Sequence, residues 1–191
     1  MPPVFRFIGA ALLLVGAFFL IGGCASLPVG GPPVGVSSME TRIIPGVLFL
    51  PQEEETCGPT SLAMFLRFHG KDVSVRELQE ETRTQGLRGS LITDLAASAR
   101  RRGISAEVAS LGLPELCRRV IAGEPVILLV DLGMLLWSRP HYMVVYGVMP
   151  EGVVAHSGLT EGAVIPYGQL ENQWEKMGRL AIVAPARERS E

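Results

Sequence analysis

Gln52-Glu53-Glu54-Glu55-Thr56-Cys57-Gly58-Pro59-Thr60-Ser61 joins an extended entry to a helix and puts a thiol at the joint. Upstream, residues 47–50 form a short apolar run that reads as a strand and stops at Pro51. Thr56 stands where a helix N-cap is expected, and Pro59 falls in the first turn, where its missing N–H is tolerated. Leu62, Phe65 and Leu66 recur near helical spacing, so one face of a helix running to His69 is buried, and Gly70 closes it. Cys57 is therefore expected at a helix N-terminus, where unpaired N–H groups and the helix dipole favour an anion. Thiolate is the reactive form of cysteine, and such positions lower a thiol pKa. The Cys57 N–H and the side-chain amide of Gln52 are candidate donors to a developing oxyanion. The competing readings of Cys57 are a small buried apolar residue or half of a disulfide.

Working outward, Ser74-Val75-Arg76-Glu77 is a capping box that opens a helix to about residue 84. A glycine-bearing loop follows at 85–89. Ser90 can cap a third helix through residue 102, with Leu91, Leu95 and Ala99 on its inner side. A strand is expected at 104–109 and a fourth helix at 113–122. The second half changes character. Residues 125–130 are a continuous apolar strand, and 141–148, 152–156 and 163–167 are strand-like with Gly or Pro between them. A short helix at 170–176 and a strand at 179–184 finish the domain. Helices first and an antiparallel sheet afterwards make an α+β layout, with the N-terminal helices packed on the C-terminal sheet.

A thiol nucleophile needs a base, and the chain has three histidines. His69 ends the same helix as Cys57, about 18 Å along the axis, and cannot reach it. His141 opens a strand after Trp137-Ser138-Arg139-Pro140, where a side chain is both rigid and accessible. His156 ends the next strand of an expected hairpin. His141 is the candidate base.

These residues resemble the bacteriocin-processing, double-glycine cysteine peptidases, the thirty-ninth cysteine-peptidase family, and especially stand-alone secreted members. The resemblance rests on Gln52 upstream of Cys57-Gly58-Pro59, His69-Gly70, Gly89-Ser90 with Leu95-Ala96-Ala97, Arg102-Gly103-Ile104, Pro125-Val126-Ile127 and His141-Tyr142-Met143-Val144-Val145. It implies a papain-like fold, no metal or cofactor, and peptide hydrolysis through a thioester. Carried over, Cys57 is the nucleophile, His141 the general base and later acid, and Gln52 an oxyanion donor. The family places an Asp, usually followed by Pro, behind the histidine. Here Ser157 stands at that position, in Ala155-His156-Ser157-Gly158. Neither Ser157 nor the alternative, His156, carries a negative charge. Adjacent strand residues face opposite ways, so only one of the two can point at His141.

The first residues are a separate matter. Residues 8–21 are an unbroken apolar run behind Arg6, shorter than the roughly 20 residues a membrane-spanning helix needs. The run ends Leu20-Ile21-Gly22-Gly23-Cys24, which resembles a lipobox. The expectation is a signal peptide over 1–23, a lipidated Cys24 opening a Pro/Gly-rich tether over 24–40, the peptidase domain over 41–186 and a frayed tail over 187–191. An uncleaved N-terminal membrane anchor is the alternative. Ala25 after the cysteine resembles lipoproteins of the outer membrane, facing the periplasm.

Composition narrows the function classes. Net charge is −2, with no basic tail and no long charge run, so nucleic-acid binding is unsupported. Neither CxxC nor HxxxH occurs, so a metal site is not expected. Cys117 reads as a core residue, with a bridge to Cys57 as the alternative. Glu53, Glu54 and Glu55 read as a solvated loop or, functionally, as a subsite for basic or neutral substrate segments, and if unscreened they would oppose thiolate formation. The apolar loop 132–137 reads as a subsite wall or flap. Three functions compete: an envelope peptidase acting on peptides or proteins, a degenerate papain-like module that binds a peptide or partner, and a cell-wall endopeptidase or amidase with His156 as third residue.

Overall fold

The computed structural model describes residues 40–84, 86, 88–134 and 137–184. The expectations for the signal peptide, Cys24, the tether and the tail lie outside the described residues.

The first half supplies helices. α1 (Cys57–Phe68) follows a single 3-10 turn at Glu54–Thr56, and its first ten residues are buried. α2 (Val75–Thr82) begins as the capping box demands, with the Glu77 N–H donating to Ser74 Oγ at 3.1 Å. α3 (Ile92–Arg101) and α4 (Leu113–Ile121) turn apolar stripes inward, through Ile92, Leu95, Ala96 and Ala99 in α3 and Leu113, Leu116, Cys117 and Val120 in α4.

The second half supplies the sheet. Its strands are β1 (Arg42–Ile43), β2 (Glu107–Ser110), β3 (Val126–Asp131), β4 (Pro140–Met149), β5 (Gly152–Ser157), β6 (Thr160–Pro166) and β7 (Leu180–Val183), with α5 (Tyr167–Glu175) between the last two. The order is β2-β7-β3-β4-β5-β6, antiparallel at every described pairing, and β1 adds to β4 beyond the end of β3. All six residues of β3 are buried. Successive strand side chains point to opposite faces, so β3 is covered on both. Helices α1, α4 and α5 all touch it. The α+β class expected from the sequence is the one observed.

Several boundaries differ, each for a local reason. Residues 47–50 join no strand. Side chains satisfy their backbone instead: the Val47 carbonyl accepts from His156 Nε2 at 3.0 Å, and the Leu50 N–H points to Met64 Sδ at 3.3 Å. Ser90 does not cap α3. Its hydroxyl pairs with Thr82 Oγ1 at 2.9 Å, and the helix starts two residues later with Leu91 at the N-cap. Leu91 is 45% exposed rather than on the inner side. The strand expected at 104–109 is shorter and later, as β2. Tyr167, read as the end of a strand, opens α5, where its hydroxyl donates to the Met149 carbonyl at 2.7 Å.

The β4–β5–β6 meander is held close by glycine. A Cβ at Gly152 would collide with the Ile165 carbonyl on β6, and main chain cannot swing aside as a side chain can. Gly152→Ala is expected to destabilise the protein by about 1–3 kcal/mol, read as a lower urea midpoint.

Candidate active site

Cys57 is the first residue of α1, and its thiol is nearly buried. Burial pushes the thiol pKa up, which is the largest effect; backbone N–H groups of Tyr142, Gly58 and Cys57 itself work the other way, and the Glu54 carboxylate adds to the rise. The helix N-terminus thus supplies the donors the sequence promises, but desolvation outweighs them. Gly58 follows the thiol in the first turn of α1. A Cβ there would stand 3.2 Å from Leu95 Cδ1 and 3.2 Å from Tyr142 Cδ2, so glycine lets α1 settle against β4.

His141 is the second residue of β4, opposite Val130 of β3. Its Nε2 lies 3.1 Å from Ser157 Oγ. Nδ1 is then the nitrogen left for a thiol. Burial, and secondarily the Arg139 guanidinium, lower the His141 pKa to about 4. Its neighbour Tyr142 braces the cleft: the phenol donates to the Ser90 carbonyl at 3.0 Å, and the backbone N–H faces the Cys57 sulfur.

Strand register decides which residue backs the imidazole. Val144 sits opposite His156. By the alternation of the pleat, Ser157 then falls opposite Met143, on the face that carries His141, and His156 falls on the other. His156 is 1% exposed and occupied elsewhere. Its Nε2 donates to the Val47 carbonyl, its Nδ1 accepts from the Gly162 N–H at 3.3 Å, and its ring packs between Phe49 and Tyr146. His69, at the far end of α1, packs on Phe65 and Phe68.

Gln52 lies near Cys57, but its amide is committed. Nε2 donates to Ser61 Oγ at 2.6 Å and to the Cys57 carbonyl at 3.3 Å, while Oε1 accepts the Gly158 N–H at 2.7 Å. Its own N–H donates to the Gly158 carbonyl at 2.9 Å. In this arrangement Gln52 ties the start of α1 to the turn after Ser157. Gly158 takes a φ of +59° in that turn, which suits glycine. Oxyanion donation by Gln52 would require one of its Nε2 bonds to be released.

Two features were not singled out from the sequence. Asp131, the buried last residue of β3, accepts the N–H groups of Gly133 and Arg139, both at 2.7 Å, and a bond from Ser138. These contacts lower its pKa and clamp both ends of the 132–139 loop that delivers His141. An Asp two residues before a Gly at the end of an apolar strand was the available signal. The second feature is a cleft of about 470 Å³ opening beside Cys57 and Gly58, walled by Leu91, Leu129, Pro140, Tyr142, Met177 and Leu180, with Glu54 and Arg88 at its lip. The described part of the 132–137 loop does not wall it. Met134 and Trp137 are 81% and 83% exposed.

Cys57 and Cys117 are both free, so the alternative of a bridge between them does not hold. Cys117 is in the core, beside the Tyr167 hydroxyl. No group of three His, Cys, Asp or Glu side chains among the described residues is arranged to hold a metal ion, and no helix among them is long and apolar enough to cross a membrane.

The model of the C39-like peptidase family matches residues 44–182, most of the chain. No curated protein sequence matches. Among solved structures, a C39-like peptidase from Bacillus anthracis is 22% identical, with a TM-score of 0.65 over 78% of this chain and 99% of its own. The peptidase domain of Streptococcus ComA, a bi-functional ABC transporter of a quorum-sensing pathway, is 22% identical, with a TM-score of 0.61 over 73% of this chain and 98% of its own. A double-glycine-motif protease from an AMS/PCAT transporter, in complex with a leader peptide, is 21% identical, with a TM-score of 0.58 over 77% and 99%. The papain-like fold expected from the sequence is the fold shared with these domains.

The bracing role of Gln52 has a test independent of catalysis. In a Cys57→Ala background, Gln52→Ala should still lower stability by about 1–3 kcal/mol in urea denaturation, because it leaves the Gly158 N–H and Ser61 hydroxyl without their partner.

Proposed function

The chain belongs to the C39-like peptidase family, and we propose that it is a cysteine peptidase with Cys57 as nucleophile, His141 as general base and acid, and Ser157 as the residue that orients the imidazole. Two observations carry this reading: Nε2 of His141 is engaged by Ser157, which leaves Nδ1 for a thiol, and the backbone N–H of the next residue, Tyr142, faces the Cys57 sulfur.

The steps follow from the two groups. The Cys57 sulfur attacks the carbonyl carbon of a peptide bond while its proton passes to His141 Nδ1. The negative charge on the carbonyl oxygen is met by N–H groups at the first turn of α1, the Cys57 amide among them. His141 returns the proton to the leaving nitrogen, the C–N bond breaks, and an acyl thioester remains on Cys57. Water attacks the thioester, giving its proton to His141, and the acid departs as the thiol reforms.

Ser157 changes the electrostatics of this sequence. An Asp can only accept, so it fixes the proton on Nε2 and steadies an imidazolium. A hydroxyl can donate or accept, and it brings no charge. Together with a raised thiol pKa and a lowered imidazole pKa, this favours the neutral Cys–His pair over a preformed ion pair. Proton transfer then accompanies attack. The same two shifts are what favours the second reading, a catalytically degenerate module that binds peptides. A cell-wall endopeptidase using His156 has less support, since both ring nitrogens of His156 are already bonded.

The substrate is a peptide or protein segment, in keeping with the leader peptide bound to the double-glycine protease of similar fold. The setting is the bacterial envelope, with lipid on Cys24 and residues 24–40 as a tether, at the periplasmic face of the outer membrane. This part rests on the sequence alone.

Kinetics test the assignment. Cys57→Ala should abolish cleavage, and His141→Ala should lower kcat/KM by about 10²–10⁴-fold. The base must be neutral, so the acid limb of kcat/KM should lie near pH 4, where His141 becomes protonated. In Ser157→Asp a carboxylate at Nε2 favours the imidazolium and raises that pKa, so the limb should move to higher pH and Cys57 should alkylate faster at neutral pH. A His141→Ala protein that labels with iodoacetamide as fast as the parent, together with no cleavage by either, would leave the binding module.

A further inference from the structure

We propose that the cleft beside Cys57 is a side-chain pocket selecting peptides with a bulky apolar residue, such as Leu, Met or Phe, at or next to the bond cut. This deepens the peptidase reading and rests on it.

The cleft is placed to do so. It is lined by Cys57 and Gly58 and, from β4, by Pro140 and Tyr142, which point to the face of that strand opposite His141. A side chain filling it therefore belongs to a residue close to the carbonyl under attack. At about 470 Å³ it falls in the range of small-ligand pockets, about 300–1,000 Å³. Gly89, Ser90 and Ile92 add to its walls before and within α3, and the apolar Leu91, Leu129, Met177 and Leu180 come from the start of α3, from β3, and from the turn and strand after α5. No charged side chain stands among them. The two charged residues, Glu54 and Arg88, are at the lip and of opposite sign, so neither charge is selected for deep in the cleft.

Leu91 is the informative wall. It holds the N-cap of α3, where Ser, Thr, Asp or Asn would stabilise the helix, and it makes no cap hydrogen bond. It is also 45% exposed, so it gains little by burial in the free protein. An apolar residue there weakens the helix start and leaves apolar surface in water. Both deficits are offset when a substrate side chain covers it. Half-buried Met177 faces the same space, and its unbranched thioether adapts to Leu, Met or Phe alike. A glycine at this position of the substrate would leave the cleft to water.

The test uses the full chain in detergent and a mixed-sequence peptide library, with cleavage sites mapped by mass spectrometry. Iodoacetamide labelling of Cys57 with and without His141→Ala reports on the catalytic reading separately. The expected result is at least a tenfold preference for Leu, Met or Phe over Gly, Asp or Lys at one position flanking the cut, on the scale at which apolar pockets discriminate, about 10–200-fold. Met177→Glu, or Leu91→Glu as a second variant, should suppress those cuts and shift the preference at that position to Lys or Arg, a gain that a misfolded protein cannot show. Cleavage with no apolar preference, or a preference unchanged in both variants, overturns the pocket while the peptidase reading stands. Absent cleavage with His141-independent labelling overturns both.

Discussion

One register, Val144 opposite His156 in the β4–β5 hairpin, decides which side chain stands behind His141. Side chains alternate along a strand, so a slip of one residue would exchange the faces of His156 and Ser157. His156 would then meet His141, and two imidazoles would share the site. Burial alone does not prevent the slip, because Val144, Val145, Val153 and Ala155 are fully buried on both faces. His156 supplies a lock, since the Val47 carbonyl and the Gly162 N–H hold its ring on the opposite face. The segment at 47–50 thus does its work without joining the sheet. Its backbone satisfies the histidine that faces away from His141.

Burial sets the second constraint. The N-terminus of α1 and three backbone N–H groups favour a thiolate at Cys57, yet the thiol pKa is raised. The imidazole is displaced in the opposite direction, to about 4. Both displacements have the same cause: a site enclosed by Tyr142, the start of α1 and the sheet disfavours any charge lacking a partner. An Asp behind the imidazole would supply that partner. A hydroxyl does not, and the two shifts favour the neutral thiol and the neutral imidazole. A cysteine nucleophile tolerates this arrangement better than a serine would, because its proton is the easier to remove.

What the sequence disclosed, and what it hid, divides along physical lines. Local rules read well. The capping box at Ser74 and Glu77, the glycine that ends α1, the thiol at the first turn and the apolar run of β3 each depend on a few neighbouring residues. Strand parity also sufficed to say that only one of His156 and Ser157 faces His141. Competition between partners was illegible. Ser90 has the chemistry of an N-cap, but Thr82 lies close enough to take its hydroxyl, and Leu91 holds the N-cap of α3 instead. Gln52 has the chemistry of an oxyanion donor, but Ser61, Cys57 and Gly158 engage it first. Nothing in the order of residues ranks such claims, because they are settled by how the chain between the partners bends, even over the five to nine residues that separate Gln52 from Cys57 and Ser61 and Ser90 from Thr82.

The loop before His141 shows how a site residue is placed from a distance. Asp131 and Pro140 are paired at the open end of the β3–β4 hairpin, and residues 132–139 leave and return there. A connection of that length between two strands has many conformations. Asp131 restricts them by accepting the N–H groups of Gly133 at the exit and Arg139 at the return. Arg139 is two residues from the imidazole, and its guanidinium helps to keep that imidazole neutral. The carboxylate therefore acts on the site twice, by fixing where β4 begins and by holding the backbone that bears the nearest positive charge. A carboxylate suits this task better than an amide, since each of its oxygens only accepts, and it gains from every backbone donor aimed at it. The charge that the family places behind its histidine is missing at Ser157. Near this histidine the buried negative charge stands instead at the root of the loop, where it governs position rather than proton affinity.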